Sequence, residues 1–364
     1  MMTKKLLMVL GPTEVESEIL EIGAKPQEYM RTSEYSKKLA RIFKNLQYVF
    51  RTKNPVVFFT SSGTGAMEAA VTNSLSAGDT VLYINGGAFG ARWGEICRKH
   101  KNKAIEIKVD FGKIVNPSLI QKSLDKHKNI KAVFATLNET SSGALTDIKA
   151  IGAIIKNYPN TIFVVDCVSG LVVEEMQMDA WGIDVAVSSS QKALALPPGL
   201  SFMAISNKAL SFAKCANLRT YYFDIFIYIE NWKRNQHPFT TPVLLVNQLD
   251  ARLQKIKKEG LLALRKRFEK NTTLLRRGLK QLGFEPVAEN PANCVTGVFS
   301  GQYDAEKIIK IMRGKYNIEI TPSGGDFKNK LFRIGNFGNI LKKDIDLFLE
   351  SLEKTLKELK NDCR

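Results

Sequence analysis

The chain is expected to be an α/β protein built on a mostly parallel sheet, and three observations lead there. Short apolar runs alternate with amphipathic stretches, a rhythm that requires crossover connections between neighbouring parallel strands. Several of those runs end in small polar residues, as strands do where they deliver the chain to a ligand-binding loop. With 364 residues and 44% apolar content, the chain can bury a large core and allows two domains at roughly 150 residues each.

The elements follow in order. Leu6 to Leu10, behind Lys4 and Lys5, superficially imitates a signal peptide, but Gly11-Pro12 ends the run without an Ala-x-Ala-type cleavage site, so an ordered strand or arm is expected. Val56 to Thr60 is the first apolar strand. It opens into Ser61-Ser62-Gly63-Thr64-Gly65 and a helix start from Ala66 to Val71, a combination that reads as a phosphate cup. Free N–H groups and the helix dipole attract a phosphate there, and the glycines let the backbone approach it. No Gly-Lys-Ser/Thr follows, which excludes a P-loop, and Glu68 stands where a dinucleotide fingerprint needs its last glycine.

Thr80 to Ile84 is the next strand, followed by the turn Asn85-Gly86-Gly87-Ala88-Phe89-Gly90, whose lone aromatic could stack on a flat ring. Ala104 to Val109 and Lys131 to Thr136 continue the series, the latter leading to Asn138-Glu139-Thr140-Ser141-Ser142-Gly143, with hydroxyls suited to a phenolic oxygen. Thr161 to Asp166 is apolar enough to be buried on both faces, yet it ends in a carboxylate that must find a partner. Ile183 to Ser188 runs into Ser188-Ser189-Ser190-Gln191-Lys192-Ala193-Leu194-Ala195-Leu196-Pro197-Pro198-Gly199, and Ser201 to Ile205 closes the set. Basic helical stretches at Arg252 to Lys258, Arg265 to Arg277 and Lys342 to Lys360 complete the chain.

Composition narrows the function. No apolar run approaches the roughly 20 residues of a membrane span. The net charge of +17 raises the option of nucleic acid, but the cations are interleaved with glutamates and carry no aromatic-basic recognition pattern, which fits solvated helix faces. Cys97, Cys167, Cys215, Cys294 and Cys363 show no CxxC spacing, which suits a reducing cytoplasm, and His100, His127 and His237 leave little material for a metal site.

Any single loop lysine is ordinarily a solvated one. Lys192 stands apart because a buried strand delivers it and another buried strand ends in Asp166. Pyridoxal phosphate chemistry needs such a pair: an amine to hold the cofactor aldehyde as a Schiff base, and a carboxylate to keep the pyridine nitrogen protonated.

Six motifs occur in series: Ser62-Gly63-Thr64-Gly65-Ala66-Met67-Glu68-Ala69, Asn85-Gly86 with Phe89-Gly90, Glu139 to Gly143, Asp166-x-Val168-Ser169, Ser190-Gln191-Lys192-Ala193 with Pro197-Pro198-Gly199, and Phe332-Arg333-Ile334-Gly335. Together, from about Gly11 to about Leu352, the chain resembles the class V aminotransferases of the alanine–glyoxylate and serine–pyruvate group. The resemblance implies fold type I: a three-layer α/β/α domain with a seven-stranded sheet over residues 15–255, a smaller α+β domain over 256–364, and an N-terminal segment over 1–14. It also implies a homodimer with active sites at the subunit interface.

By position, the resemblance makes Lys192 the cofactor-bearing amine and Asp166 the partner of the pyridine nitrogen. Phe89 and Val168 would cover the two ring faces, and Thr140 would meet the ring hydroxyl. Ser62, Gly63, Thr64 and Gln191 would hold the phosphate, with Thr240 and His237 arriving from the partner subunit. Arg333 would bind the substrate carboxylate, and the segment Met8 to Thr13, around Gly11, would shape the substrate pocket. The implied reaction moves an amino group from a small amino acid to glyoxylate or pyruvate by ping-pong chemistry. Two other functions fit the same residues. One is 2-aminoethylphosphonate–pyruvate transamination, with Arg31 as an extra cation, and the other is a non-catalytic cofactor-binding or nucleic-acid-binding regulator.

Overall fold

The computed structural model describes residues 5–218 and 220–361. Seven strands form one sheet, in the spatial order Val56–Phe59, Ser201–Ile205, Val185–Ser189, Ile162–Asp166, Ile130–Thr136, Thr80–Asn85 and Lys103–Lys108. These are the seven runs read from the sequence, with ends shifted by up to two residues. Every pairing is parallel except the two made by Ser201–Ile205, which runs against both neighbours.

Side chains alternate across this sheet and are buried on both faces. Val56, Phe58, Phe163 and Val165 enter one core with the helices Ser33–Phe50, Pro117–Lys126, Ile148–Ile155 and Val243–Glu259. Val57, Phe59, Ile162 and Val164 enter the other, with Gly63–Ser74, Ala88–Lys99, Asn207–Cys215 and Ile225–Lys233. Two-sided burial is why the strands read as continuous apolar runs, and it produces the three layers. The register sets Asp166 beside Thr136 and Val187, at the carboxyl edge of the middle of the sheet.

A second sheet runs Leu6–Met8, Ile318–Pro322, Leu331–Gly335, Val295–Phe299. Its first pair is parallel and the others antiparallel. The expected N-terminal strand therefore forms, but as the edge of the C-terminal sheet and not as part of a separate arm. Ala305–Tyr316 and Lys342–Asn361 cover this sheet through Ile308, Phe348 and Leu352. The helix Val243–Glu259 runs across the expected 255/256 boundary, and the chain turns at Gly260, whose φ of 81° favours glycine. The next helix, Leu261–Gln281, gives Leu264 and Phe268 to the larger core and Leu275 and Leu279 to the C-terminal one. Among the described residues, no helix is long and apolar enough to cross a membrane. Cys97, Cys167, Cys215 and Cys294 are unpaired, and Cys363 lies outside the described residues.

Candidate active site

Lys192 follows the strand Val185–Ser189 in a loop held from several directions. Within the loop, Ser190 Oγ donates to the Pro197 carbonyl at 2.7 Å, and Ala195 adopts φ 51°. From the N-terminal segment, Thr13 N donates to the Gln191 carbonyl at 3.1 Å and Thr13 Oγ1 to the Lys192 carbonyl at 3.2 Å. From the helix Val243–Glu259, buried Arg252 donates through Nε to the Leu194 carbonyl at 2.9 Å. Gly11 lies against the lysine stem. A Cβ there would sit 3.0 Å from Lys192 Cγ, on a backbone at φ +114°. Gly11 thus packs against the Lys192 side chain, and Thr13, at the end of the same segment, fastens the backbone at Gln191 and Lys192.

The Lys192 amine is buried, with Nζ 3.0 Å from Ser169 Oγ and 3.5 Å from Thr140 Oγ1, and those two hydroxyls are 2.5 Å apart. The Phe89 ring lies beneath it, its centroid 4.8 Å from Nζ. Burial lowers the amine's pKa, against the opposing pull of Asp166, and so favours the neutral, nucleophilic form. Asp166 is equally buried; burial pushes its carboxyl up to about 6, although the Val168 N–H donates to Oδ1 at 2.7 Å and Lys192 lies nearby. The expensive carboxylate is thus in place, close to the amine and short of a full counter-charge.

Phe89 is aimed by a neighbour whose part was not legible. The buried Glu139 carboxylate accepts from Gly90 N at 2.9 Å and Phe89 N at 3.4 Å, at the start of the helix Ala88–Lys99. It also accepts from Ser141 N at 3.1 Å and Ser141 Oγ at 2.5 Å, which joins the hydroxyl-rich loop to the aromatic turn. A carboxylate at a helix N-terminus satisfies donors that the helix itself cannot.

The helix expected after the first strand forms, over Gly63–Ser74. Ser62 is the N-cap of the helix Gly63–Ser74 but makes no side-chain capping bond, so its hydroxyl and the first N–H groups are left for an anion. Gly63 packs so closely that an added Cβ would lie 2.9 Å from Val168 Cγ2 and 3.4 Å from Ser189 Oγ. Thr64 is exposed at the mouth. Ser189 Oγ and Gln191 Oε1 are buried without a partner.

Thr240 is exposed, but its neighbour His237 is not. The His237 ring stacks on Phe58 at 4.7 Å, with Nε2 2.9 Å from the Phe58 carbonyl and Nδ1 2.9 Å from that of Phe239. Burial lowers its pKa, against the opposing pull of the Phe58 and Phe239 carbonyls, and the Phe239 N–H also reaches Nδ1 at 3.3 Å. This position corrects the expectation of a phosphate contact from His237: its ring nitrogens are committed to backbone inside its own subunit. Arg31 is also committed, donating to the Gln236 side chain at 3.2 Å and the His237 carbonyl at 2.8 Å.

Arg333 joins the site through Thr140, whose carbonyl accepts from Nη1 at 3.2 Å, while the Pro322 carbonyl accepts from Nη2 at 2.5 Å. Its Nε is buried and unpartnered. The edge of the guanidinium that the protein leaves unbonded is suited to a carboxylate, the planar acceptor that the fork geometry matches.

A family model, aminotransferase class V, matches residues 17–327. An uncharacterized aminotransferase of Methanocaldococcus jannaschii is 37% identical over 98% of this chain and 94% of its own length. The L-aspartate–glyoxylate aminotransferase of Paracoccus denitrificans is 31% identical over 93% of this chain and 88% of its own. The crystal structure of an alanine–glyoxylate aminotransferase from Nostoc sp. superposes with a TM-score of 0.93 at 26% identity, covering 98% of this chain and 96% of that one. With a lysine amine, a buried acid and a glycine-rich helix start beyond the strands of the large sheet, and an arginine that reaches Thr140 from the C-terminal sheet, the chain belongs to the class V aminotransferases, a family of pyridoxal-phosphate-dependent transaminases, and is related to those that act with glyoxylate.

Proposed function

We propose that this transaminase carries the amino group of a small amino acid, of the alanine or serine type, to a 2-oxo acid such as glyoxylate or pyruvate. It does so in alternating ping-pong half-reactions, as a homodimer in a reducing cytoplasm. The observation that carries this reading is the Lys192 amine, buried among Phe89, Thr140 and Ser169, with Arg333 bonded to the Thr140 carbonyl and its Nε left open. The printed names of the relatives support glyoxylate as acceptor.

The residues fit pyridoxal phosphate. Ser62, Gly63, Thr64, Ser189 and Gln191 would hold its phosphate, Phe89 and Val168 its ring faces, Thr140 its hydroxyl, Asp166 its pyridine nitrogen and Lys192 its aldehyde. When bound, the cofactor supplies a carbonyl that captures the donor amine and a ring that draws electrons from the donor Cα. Asp166, costly as a lone buried anion, holds a proton on the ring nitrogen and gains the counter-charge it lacks. Arg333 orients the donor by its carboxylate. Lys192, its pKa lowered by burial, accepts the Cα proton, and the Thr140 and Ser169 hydroxyls aim the amine. Phe89 and Val168 keep water from the reacting face.

A donor panel of alanine, serine, aspartate and 2-aminoethylphosphonate, each against glyoxylate and pyruvate, tests the reading. Alanine or serine with glyoxylate is expected to turn over fastest. The phosphonate as preferred donor would overturn it, and the structure does not favour that result, because Arg31 is spent on residues 236–238.

A further inference from the structure

We propose that Arg92 is a phosphate-recognition residue of this site, the cation that selects the 5′-phosphorylated cofactor over free pyridoxal. The inference rests on the pyridoxal phosphate reading above and assigns a role to a side chain outside the motifs that suggested it. Arg92 stands one helical turn beyond Phe89 on Ala88–Lys99, so both side chains leave the same face. Its Cζ lies 4.8 Å from the Phe89 ring centroid, and its Nη1 lies 3.4 Å from Thr64 Oγ1, at the mouth of the cup. The guanidinium thus bridges the ring-stacking residue and the phosphate loop, the two places that the ring and the ester of one cofactor would occupy.

Charge supports the same assignment. A phosphate monoester carries about −1.5 to −2 at neutral pH, whereas a helix N-terminus offers only about half a positive charge. The Ser62 side chain leaves that terminus uncapped, and Ser62, Gly63 and Thr64 are neutral, so a full cation beside Thr64 supplies what the cup itself lacks. Among the described residues Arg92 forms no ion pair with a carboxylate, and its hydrogen bond is to the Thr64 hydroxyl. It is also close enough to Asp166 to pull that carboxyl down against burial, which places it within the field of the same site.

Cofactor-free wild type, Arg92→Ala and Arg92→Lys are titrated with pyridoxal phosphate and with pyridoxal, binding being read from cofactor absorbance. Covalent capture by Lys192 is common to both ligands and cancels in their ratio. Arg92→Ala is expected to weaken pyridoxal phosphate by about tenfold or more, the scale of a charge-assisted contact, and to leave pyridoxal within about twofold of wild type. Arg92→Lys should fall between, because an ammonium keeps the charge but not the fork. An equal loss for both ligands would show that Arg92 only supports Phe89 or the fold, and unchanged affinity for both would show that it does not touch the ester; either result overturns the proposal while leaving the cofactor reading intact. Wild type that binds neither ligand would overturn both.

Discussion

Lys192 and Asp166 restrain one another across a buried space, and each is expected to show it when changed. Lys192→Ala should abolish transamination, since among the described residues no other amine is aimed by Thr140 and Ser169; a variant that kept full turnover would remove the lysine from the mechanism. Asp166 allows a prediction that needs no substrate. Burial holds its carboxyl at about 6 where an ordinary aspartate has 3.8, so the folded state binds the proton more tightly than the unfolded chain. That stabilisation is present in full below about pH 4 and is lost as pH rises through about 6. Relative to Asp166→Asn, the cofactor-free wild type should therefore lose of order 2–3 kcal/mol between about pH 4 and 7. Urea melts of both proteins across that range read the difference, and a flat difference would mean that the carboxyl is better solvated or paired than the structure shows. At the substrate side, Arg333→Lys keeps the charge and loses the planar fork. It should raise the KM for the amino donor by about tenfold or more, with a smaller change in kcat.

At the scale of elements, the helix Ala88–Lys99 owes its placement to contacts made at its first turn. A Cβ on Gly90 would lie 2.5 Å from the Ile84 carbonyl oxygen, a backbone atom that cannot step aside, so Gly90→Ala should destabilise the protein by about 1–3 kcal/mol through overpacking. Glu139→Ala removes the acceptor for the Gly90 and Phe89 N–H groups. It should cost about 1–2 kcal/mol and also weaken cofactor affinity, because the Phe89 ring loses its mooring. Calorimetry paired with cofactor titration checks both, and stability lost with affinity unchanged would detach the cap from the site.

This helix shows what could and could not be read in advance. Its strand and turn were legible, since two-sided burial writes a continuous apolar run and Gly86-Gly87 marks the bend. The reach from Glu139 to Gly90 spans 49 positions, and that from Arg92 to Thr64 spans 28. Local pattern carries no trace of contacts that exist only once the sheet has assembled. The same limit hid the pairing of Leu6–Met8 with Ile318–Pro322 and the grip of Thr13 on the Lys192 loop. His237 was misjudged for a related reason: a histidine looks alike in sequence whether its nitrogens face a phosphate or two backbone carbonyls.

For the whole molecule, the cations of the C-terminal helices are in part paired along their own elements, as in Lys342 with Asp346 and Lys357 with Glu353, which fits solvated faces. The surface beside the phosphate cup has a different character. Tyr221 is 77% exposed, its ring 5.9 Å from Phe239, and Tyr222 stacks on Phe239 at 5.1 Å. The cluster is continuous with the cup, because a Cβ on Gly65 would meet Phe223 Cζ at 3.3 Å, and exposed Thr240 adjoins Phe239. An exposed tyrosine on a partly buried aromatic cluster suits burial by a partner, and a second copy of this chain would both cover it and bring its own Thr240 toward the cup. Assembly and cofactor binding should therefore fail together. For the proposed homodimer, Tyr221→Glu, a change at an exposed position, should shift the protein from dimer to monomer in sedimentation equilibrium and weaken pyridoxal phosphate at least several-fold, although Lys192 and Asp166 are untouched. A monomer that kept wild-type affinity would mean that each subunit completes its own phosphate site, and an intact dimer would mean that the aromatic cluster lies outside the interface.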